Sequence, residues 1–186
     1  MRRNYFIYLL SIILLVGCAT QRTSSLVSCD YDTKSNQTNY MVFPYGSVSI
    51  PNKWEKTSYN SVSKQQFLKN EEGVTIAISF GHCDKYEFNR DNSKKGFSFV
   101  KAFYEWDSEY FVSTHGLHQD LIEENERNNY IIWRVYGNYN NSEIDNFFLF
   151  GEKGGVAYNY SVMSTDKWTE EQKIKFLKEI YGNKKE

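Results

Sequence analysis

Two segments in the second half of the chain would, as β-strands, carry large apolar side chains on both faces. Residues 130–136 read YIIWRVY and residues 146–150 read NFFLF, so bulky apolar or aromatic residues occupy nearly every position. Side chains alternate between the two faces of a strand, and a strand that is apolar on both faces needs cover on each side of its sheet. These segments therefore predict a sheet packed between two layers.

Shorter alternating segments supply the other strands of this sheet. The sequence predicts strands at residues 47–50, 64–68, 74–80, 120–124 and 156–162, most of them next to turn-forming Asn, Gly or Pro. The segments at 130–136, 146–150 and 156–162 follow one another through short turns, which is typical of an antiparallel meander.

Two helices are expected to cover this sheet. Apolar residues at helical spacing predict one helix capped around residues 91–93 and closed at 115–116. A second helix begins at residues 169–172, whose TEEQ sequence resembles a capping box, and ends at Gly182 as a left-handed stop. Its lysines, Lys173 among them, are expected to face water. The expected fold class is α+β, an α/β/α sandwich whose mainly antiparallel sheet is covered by two helices.

The N-terminus has the organisation of a signal peptide. Arg2 and Arg3 precede twelve residues, 5–16, that are apolar or aromatic except for one serine. A bilayer-spanning helix needs about 20 apolar residues, so this run is too short to cross a membrane. Residues 15–18 then read LVGC, which resembles the bacterial lipobox. An ordinary secretory signal with a chance cysteine and a buried N-terminal helix are the alternatives.

The lipobox resemblance implies that the chain is cleaved after Gly17 and that Cys18 carries lipid. Ala19 follows where Asp would retain an inner-membrane lipoprotein, so the expected location is the cell envelope, at the outer membrane facing the periplasm. Several acyl chains hold such a protein stably on a membrane. The predicted organisation is a signal peptide at 1–17, lipidated Cys18 with a flexible tether to residue 40, a sandwich domain at 41–182 and a polar tail at 183–186.

Charge and cysteine content narrow the function further. Removing residues 1–17 takes away two arginines and no acid, which lowers the formal net charge from −1 to −3. A mildly acidic domain argues against binding to nucleic acid. With Cys18 lipidated, Cys29 and Cys83 remain, and an even pair in an oxidising envelope permits a disulfide. Two separate thiols are equally compatible with this spacing.

Four segments of the folded part resemble the Mog1/PsbP-like superfamily. They are GSVSIPNKW at 46–54, GVTIAISF at 73–80, GGVAYNYSV at 154–162 and EEQKIKFLKEIY at 170–181. The likeness spans about residues 41–182. It implies an α/β/α sandwich with a non-enzymatic role as a binding or assembly module, as in a photosystem II extrinsic subunit and a small-GTPase-binding protein. These motifs are packing signatures, so they transfer no functional residue.

Several short sequence patterns resemble catalytic or metal-binding sites. His115 and His118 are three residues apart and could share a metal, and the sequence His82-Cys83-Asp84 combines a nucleophile with a base. Neither pattern is specific: solvated histidines at a helix end explain the first better than a metal site, and Cys83 of the second has a rival use in the disulfide. The glycine-rich residues 151–155 read as a hairpin turn rather than a phosphate loop. The sequence therefore predicts no catalytic residue, no metal ligand and no cofactor.

The leading hypothesis is a lipid-anchored envelope protein that binds another protein without catalysing a reaction. The many aromatic residues, 17% of the chain, exceed what an average core needs, so some of them could form a recognition surface, although packing within the sandwich is the simpler interpretation. A narrower form is an immunity-type lipoprotein that neutralises a toxin. The rivals are a metal-dependent hydrolase that uses His82, His115 and His118, and a small-ligand carrier with a deep apolar pocket.

Overall fold

The computed structural model of the protein describes residues 26–185, which form eleven strands and two α-helices. The helices are α1 (Phe97–His115) and α2 (Glu170–Gly182). The strands are β1 (Leu26–Asp32), β2 (Gln37–Phe43), β3 (Gly46–Pro51), β4 (Trp54–Asn60), β5 (Gln65–Asn70), β6 (Thr75–His82), β7 (His118–Asn125), β8 (Tyr130–Tyr139), β9 (Ser142–Lys153), β10 (Val156–Val162) and β11 (Lys184–Lys185). Neither helix is long and apolar enough to cross a membrane.

The large sheet has seven strands in the order β4-β5-β6-β10-β9-β8-β7, and every neighbouring pair is antiparallel. The predicted meander is present as β8, β9 and β10. Its two tight turns carry left-handed backbone at Asn140 and Asn141 and at Gly154 and Gly155. Asparagine and glycine tolerate this conformation at little cost, so the sequence sets where the strands reverse.

Each face of the large sheet has its own core, as the doubly apolar strands require. On one face, Val74 and alternate residues of β6 pack against α2 and against β2 and β3. On the other face, Trp133 and its neighbours in β8 pack against α1. Phe103 of α1 stacks on Phe150 of β9 with ring centroids 4.0 Å apart. The predicted α+β class, with an antiparallel sheet covered by two helices, is confirmed.

A second, smaller sheet was not foreseen. It has the order β1-β2-β3-β11 and lies on the α2 side of the large sheet. The tether predicted to reach residue 40 is therefore wrong for residues 26–40, which form β1 and most of β2. Thr38, Tyr40 and Val42 alternate with more exposed residues and are buried, and the hydroxyl of Thr38 accepts a hydrogen bond from the Trp54 backbone N–H. Residues 18–25 lie outside the described residues.

Three further expectations, one about the C-terminal tail and two about helix ends, need correction. The tail residues Lys184 and Lys185 pair with β3 instead of leaving the domain. Helix α1 begins after Gly96 rather than near residues 91–93, because Asp91 and Ser93 bond to each other in a preceding turn. Gly182 is not a left-handed stop, since it is the last residue of α2 without a positive φ, and the residue that follows it, Asn183, has φ −88°. The predicted capping box of α2 and the closure of α1 at Gly116 are confirmed.

Tyr181 and Gly151 fix the C-terminal end of α2 to the sheet. The Tyr181 hydroxyl donates toward the carbonyl oxygens of Asn128, Asn129 and Glu152, at 3.0, 3.0 and 3.3 Å. Its ring lies so close over Gly151 that a Cβ atom there would overlap the ring. The glycine is therefore needed for the close approach of helix and strand, and not for an unusual φ.

We predict that Gly151→Ala lowers the free energy of unfolding by about 2 kcal/mol, because the added methyl group overpacks the Tyr181 ring. Gly81→Ala is the matched control, since a Cβ at Gly81 meets nothing within 4 Å. Urea unfolding followed by tryptophan fluorescence measures both. Equal unfolding midpoints for the two variants would contradict this account of how α2 docks.

Candidate functional site

The structure brings two of the candidate segments, residues 82–84 and the glycine-rich residues 151–155, together around one cavity. The His82-Cys83-Asp84 segment lies next to the Gly154–Gly155 turn, and the Cys83 backbone N–H donates to the Gly155 carbonyl oxygen at 3.0 Å. The cavity has a volume of about 380 Å³. It is lined by His82, Cys83, Asp84, Asn92, Lys94, Lys95, Glu152, Gly154 and Gly155. This polar lining differs from the deep apolar pocket that the carrier hypothesis requires.

The groups in this cavity are poorly suited to nucleophilic catalysis. Burial, together with the nearby carboxylates of Glu152 and Asp84, raises the pKa of the Cys83 thiol to about 12. A reactive cysteine needs a lowered pKa, since the thiolate is the nucleophile. The Glu152 carboxylate already accepts a hydrogen bond from the Gly155 backbone N–H at 2.7 Å. The cavity therefore holds a protonated thiol beside a carboxylate that shapes the turn.

The structure does not bring Cys29 and Cys83 together. Both are free thiols, and Cys29 packs against the core on the α2 side while Cys83 belongs to the core on the α1 side. The large sheet separates these cores, so the disulfide that the sequence permitted is wrong. Cys18, the expected lipid site, lies outside the described residues.

The three histidines of the hydrolase hypothesis do not meet either. His82 ends β6 and His118 begins β7, and the three strands β10, β9 and β8 lie between them. Four inter-strand spacings amount to about 19 Å. Each ring contacts an aromatic ring instead: His82 lies 5.1 Å from Tyr45, His118 5.5 Å from Tyr136, and His115 4.5 Å from Tyr139. Within residues 26–185, no three His, Cys, Asp or Glu side chains are grouped to hold a metal.

An exposed aromatic surface forms where α1 ends beside the β8–β9 turn. We call it the aromatic face, and it consists of Trp106, Tyr110, His115 and Tyr139. The Tyr110 and His115 rings lie 5.1 Å apart. Trp106, Tyr110 and Tyr139 remain 39%, 50% and 38% exposed, which is far more than core packing explains. The sequence showed the aromatic excess but not its location.

Acidic residues lie along one side of the aromatic face. Glu105 and Glu109 are exposed on α1, next to Trp106 and Tyr110. Asp107 lies on the packed side of α1 with Phe103 and Phe111, and burial raises its pKa to about 7. Of the basic side chains, α1 carries only Lys101 besides His115. The face therefore combines large π surfaces with negative charge.

A buried ion network links α2 to the large sheet, and sequence reasoning missed it. Lys173 is only 2% exposed, although it was expected to face water. Its ammonium group lies 2.8 Å from Asp145 Oδ2, and Arg134 Nε donates to Asp145 Oδ1 at 2.5 Å. The ammonium also lies 4.7 Å from the centre of the Phe147 ring, which favours a cation.

The charges in this network stabilise one another. Burial alone would raise the pKa of Asp145, but the hydrogen bonds from Lys173 and Arg134 outweigh it, and the pKa lies below its usual value of 3.8. Asp145 therefore stays ionised at neutral pH and compensates the Lys173 charge. All three residues are used in joining α2 to β8 and β9, so this network is structural.

Comparisons with known proteins assign no family. No family model and no curated protein matches the chain. Among solved structures, the solution structure of cyanobacterial PsbP (CyanoP) from Synechocystis sp. PCC 6803 is similar over 92% of this chain and 98% of its own, with 10% sequence identity and a TM-score of 0.48. At this low similarity it carries no inference about function, and the fold class rests on the elements described above.

We predict that Asp145→Asn lowers the free energy of unfolding by about 3 kcal/mol at pH 7, because it leaves the Lys173 ammonium buried without a counter-ion. The loss should begin to shrink as the pH falls below about 4, where Asp145 of the unfolded chain takes up a proton, and it should disappear only below the lowered pKa of the folded protein. Urea unfolding at several pH values measures both effects.

The control for this prediction is Glu55→Gln, which removes an exposed pair with Lys53 at 2.9 Å. Exposed pairs contribute little, so its unfolding midpoint should stay close to that of the wild type. An equally small effect of Asp145→Asn would show that the buried network contributes no more than a surface pair.

Proposed function

We propose that the protein is a lipid-anchored envelope protein whose domain binds another protein through the aromatic face, without catalysing a reaction. The anchor rests on the lipobox-like residues 15–18 and the signal-peptide pattern before them. The single observation that carries the binding role is the aromatic face itself. Exposed Tyr and Trp side chains dominate binding energy at protein interfaces, because they bury a large area and lose little conformational entropy.

The position of the aromatic face supports this role. Tyr139 pairs with Ser142, which is at the N-terminal end of β9. The described chain begins at Leu26, which pairs with Phe43, and Phe43 is two residues before Tyr45. Tyr45 contacts His82, and His82 is joined through Val156 of β10 to Lys153 at the C-terminal end of β9. Since β9 has 12 residues, these ends lie about 40 Å apart. A domain anchored through residue 18 would therefore present the aromatic face away from its attachment.

The chemistry of the face favours a basic partner segment. Arg and Lys side chains bind over Tyr and Trp rings, and the glutamates beside the face, Glu105 and Glu109, would pair with the same cations. Binding should therefore weaken as salt concentration rises. An immunity-type role would be a narrower form of this proposal, in which the basic segment belongs to a toxin.

The arrangement of the other candidate residues favours binding over catalysis. His82 is separated by three strands from His118, and the pKa of Cys83 is raised, not lowered. A metal-dependent hydrolase would need these residues to converge on one point. We therefore retain protein binding as the proposed function and propose no second activity.

We predict that Cys18→Ser releases the protein from membranes, because the substitution removes the sulfur that would carry the lipid. Cell fractionation and mass spectrometry of the N-terminal peptide measure release and lipidation together. Cys29→Ser is the control and should stay in the membrane fraction with its lipid. A Cys18→Ser variant that remains as firmly bound as the wild type would contradict the lipid anchor.

We also predict that a photo-crosslinking amino acid at position 110 captures a partner in cells, whereas the same group at position 59 does not. Tyr59 is the matched control, because it is a similarly exposed tyrosine, at 55%, on the distant edge strand β4. Mass spectrometry should place the crosslink in a segment of the partner rich in Lys or Arg.

Charge reversal tests the chemistry of this contact. Glu105→Lys with Glu109→Lys should reduce the position-110 crosslink at least about five-fold, as expected when close charge pairs are lost. Equal capture at positions 59 and 110, or a crosslink that survives the charge reversal, would contradict a specific acidic and aromatic binding face.

A further inference from the structure

A charge-free hairpin forms the end of the domain opposite the aromatic face. Residues 35–52, which include all of β2 and β3, contain no Asp, Glu, Lys, Arg or His, although a quarter of the chain is charged. At the tip of this hairpin, the side chains of Leu26 and Phe43 are 66% and 62% exposed. We call residues Leu26, Val27, Phe43, Pro44 and Tyr45 the apolar tip.

Leu26 and Phe43 act as one surface because they are paired directly across β1 and β2. Side chains at paired positions lie on the same face of a sheet, about 5 Å apart. Val27, on the opposite face of the strand, is also 40% exposed. Nothing in residues 26–185 covers these side chains, so two large apolar groups face solvent side by side. Such a surface commonly marks contact with another apolar phase.

The length of the preceding chain places this tip next to the proposed anchor. Seven residues separate Cys18 from Leu26. Even a fully extended chain spans at most about 28 Å over that interval. The domain itself extends about 40 Å along β9. Because the link is shorter than the domain, the end that carries the apolar tip has to face the surface to which Cys18 is attached.

We infer that the apolar tip inserts into the interfacial layer of the membrane that carries the lipid anchor, so that the domain stands on the bilayer in a fixed orientation. This inference rests on the proposed lipid anchor. The occupant of the tip is a lipid surface, because the hairpin offers apolar and aromatic groups and no charge. Phe43 and Leu26 would enter the acyl boundary, while the amphipathic Tyr45 ring suits the headgroup level.

Most charged residues of the small sheet lie away from this tip, and the exceptions are Lys184 and Lys185 of β11, which pair with Val48 and Ser47 beside it. Asp30, Asp32 and Lys34 follow toward the other end of β1, and Lys53 follows the far end of β3. The five residues of the apolar tip carry no charge themselves, so their insertion removes no charge from water, which would be costly. The same distribution provides an internal control, since Tyr31 is 37% exposed at the charged end of the same strand.

The test compares two tryptophan reporters in the lipidated protein. Phe43→Trp places the reporter in the apolar tip, and Tyr31→Trp places it at the charged end of β1. Each protein is reconstituted into vesicles of phosphatidylethanolamine and phosphatidylglycerol with spin-labelled lipid as quencher, and the wild-type fluorescence is subtracted. We expect at least about three-fold stronger quenching for Phe43→Trp, because interfacial insertion is confined to the outer layer of the bilayer.

The outcomes separate this inference from the proposed function. Flotation of the vesicles comes first: wild-type protein that does not float with them shows that the anchor has failed, and the insertion falls with it. If the protein floats with the vesicles but the tryptophans at positions 31 and 43 are quenched equally, the insertion alone is overturned. Weak quenching with concentration-dependent dimerisation in detergent would assign the tip to a second copy and overturn the inference as well.

Discussion

The packing of aromatic rings on both faces of the seven-stranded sheet is the constraint on which the rest of the structure depends. Phe103 of α1 stacks on Phe150 on one face, and Phe176 of α2 contacts Trp54 on the other. Neither face of the central strands can be left in water, so both helices are required and each has one place to dock. The close fit of Tyr181 over Gly151 and the buried pair of Lys173 and Asp145 then fix where α2 lies along the sheet.

The parts of the fold that sequence reasoning predicted are those determined by local pattern. The meander, the capping box at Thr169 and the closure of α1 at Gly116 each depend on a few neighbouring residues, and all three are present. The small sheet was missed because Tyr40 and Val42 alternate within a polar segment whose burial depends on β6 and α2, far away in sequence. Lys173 was misplaced for the same reason, since its counter-ion Asp145 is 28 residues away.

The candidate sites show the same limit more sharply. His82, His115 and His118 look related in the sequence because histidine is rare, yet strand order places three strands between β6 and β7. Cys29 and Cys83 look like a disulfide pair because they are the two cysteines that remain once Cys18 is set aside, yet they lie in different cores. The aromatic face was not predictable as a surface, since Tyr110 and Tyr139 are 29 residues apart and meet only through His115. Composition indicated an aromatic excess, and only the tertiary fold distinguishes core rings from exposed ones.

The two exposed surfaces differ in chemistry in a way that suits opposite environments. The hairpin at one end carries no charge over residues 35–52, whereas the aromatic face at the other end has Glu105 and Glu109 beside it on α1. An apolar surface without charge gains free energy by leaving water, while an acidic aromatic surface gains it by pairing with cations over its rings. A domain that merely needed solubility would have no reason to separate these groups. Their separation along the roughly 40 Å of β9 suits the proposed lipid anchor, because a domain held to a membrane by a short link keeps a surface free of the bilayer only at its far end.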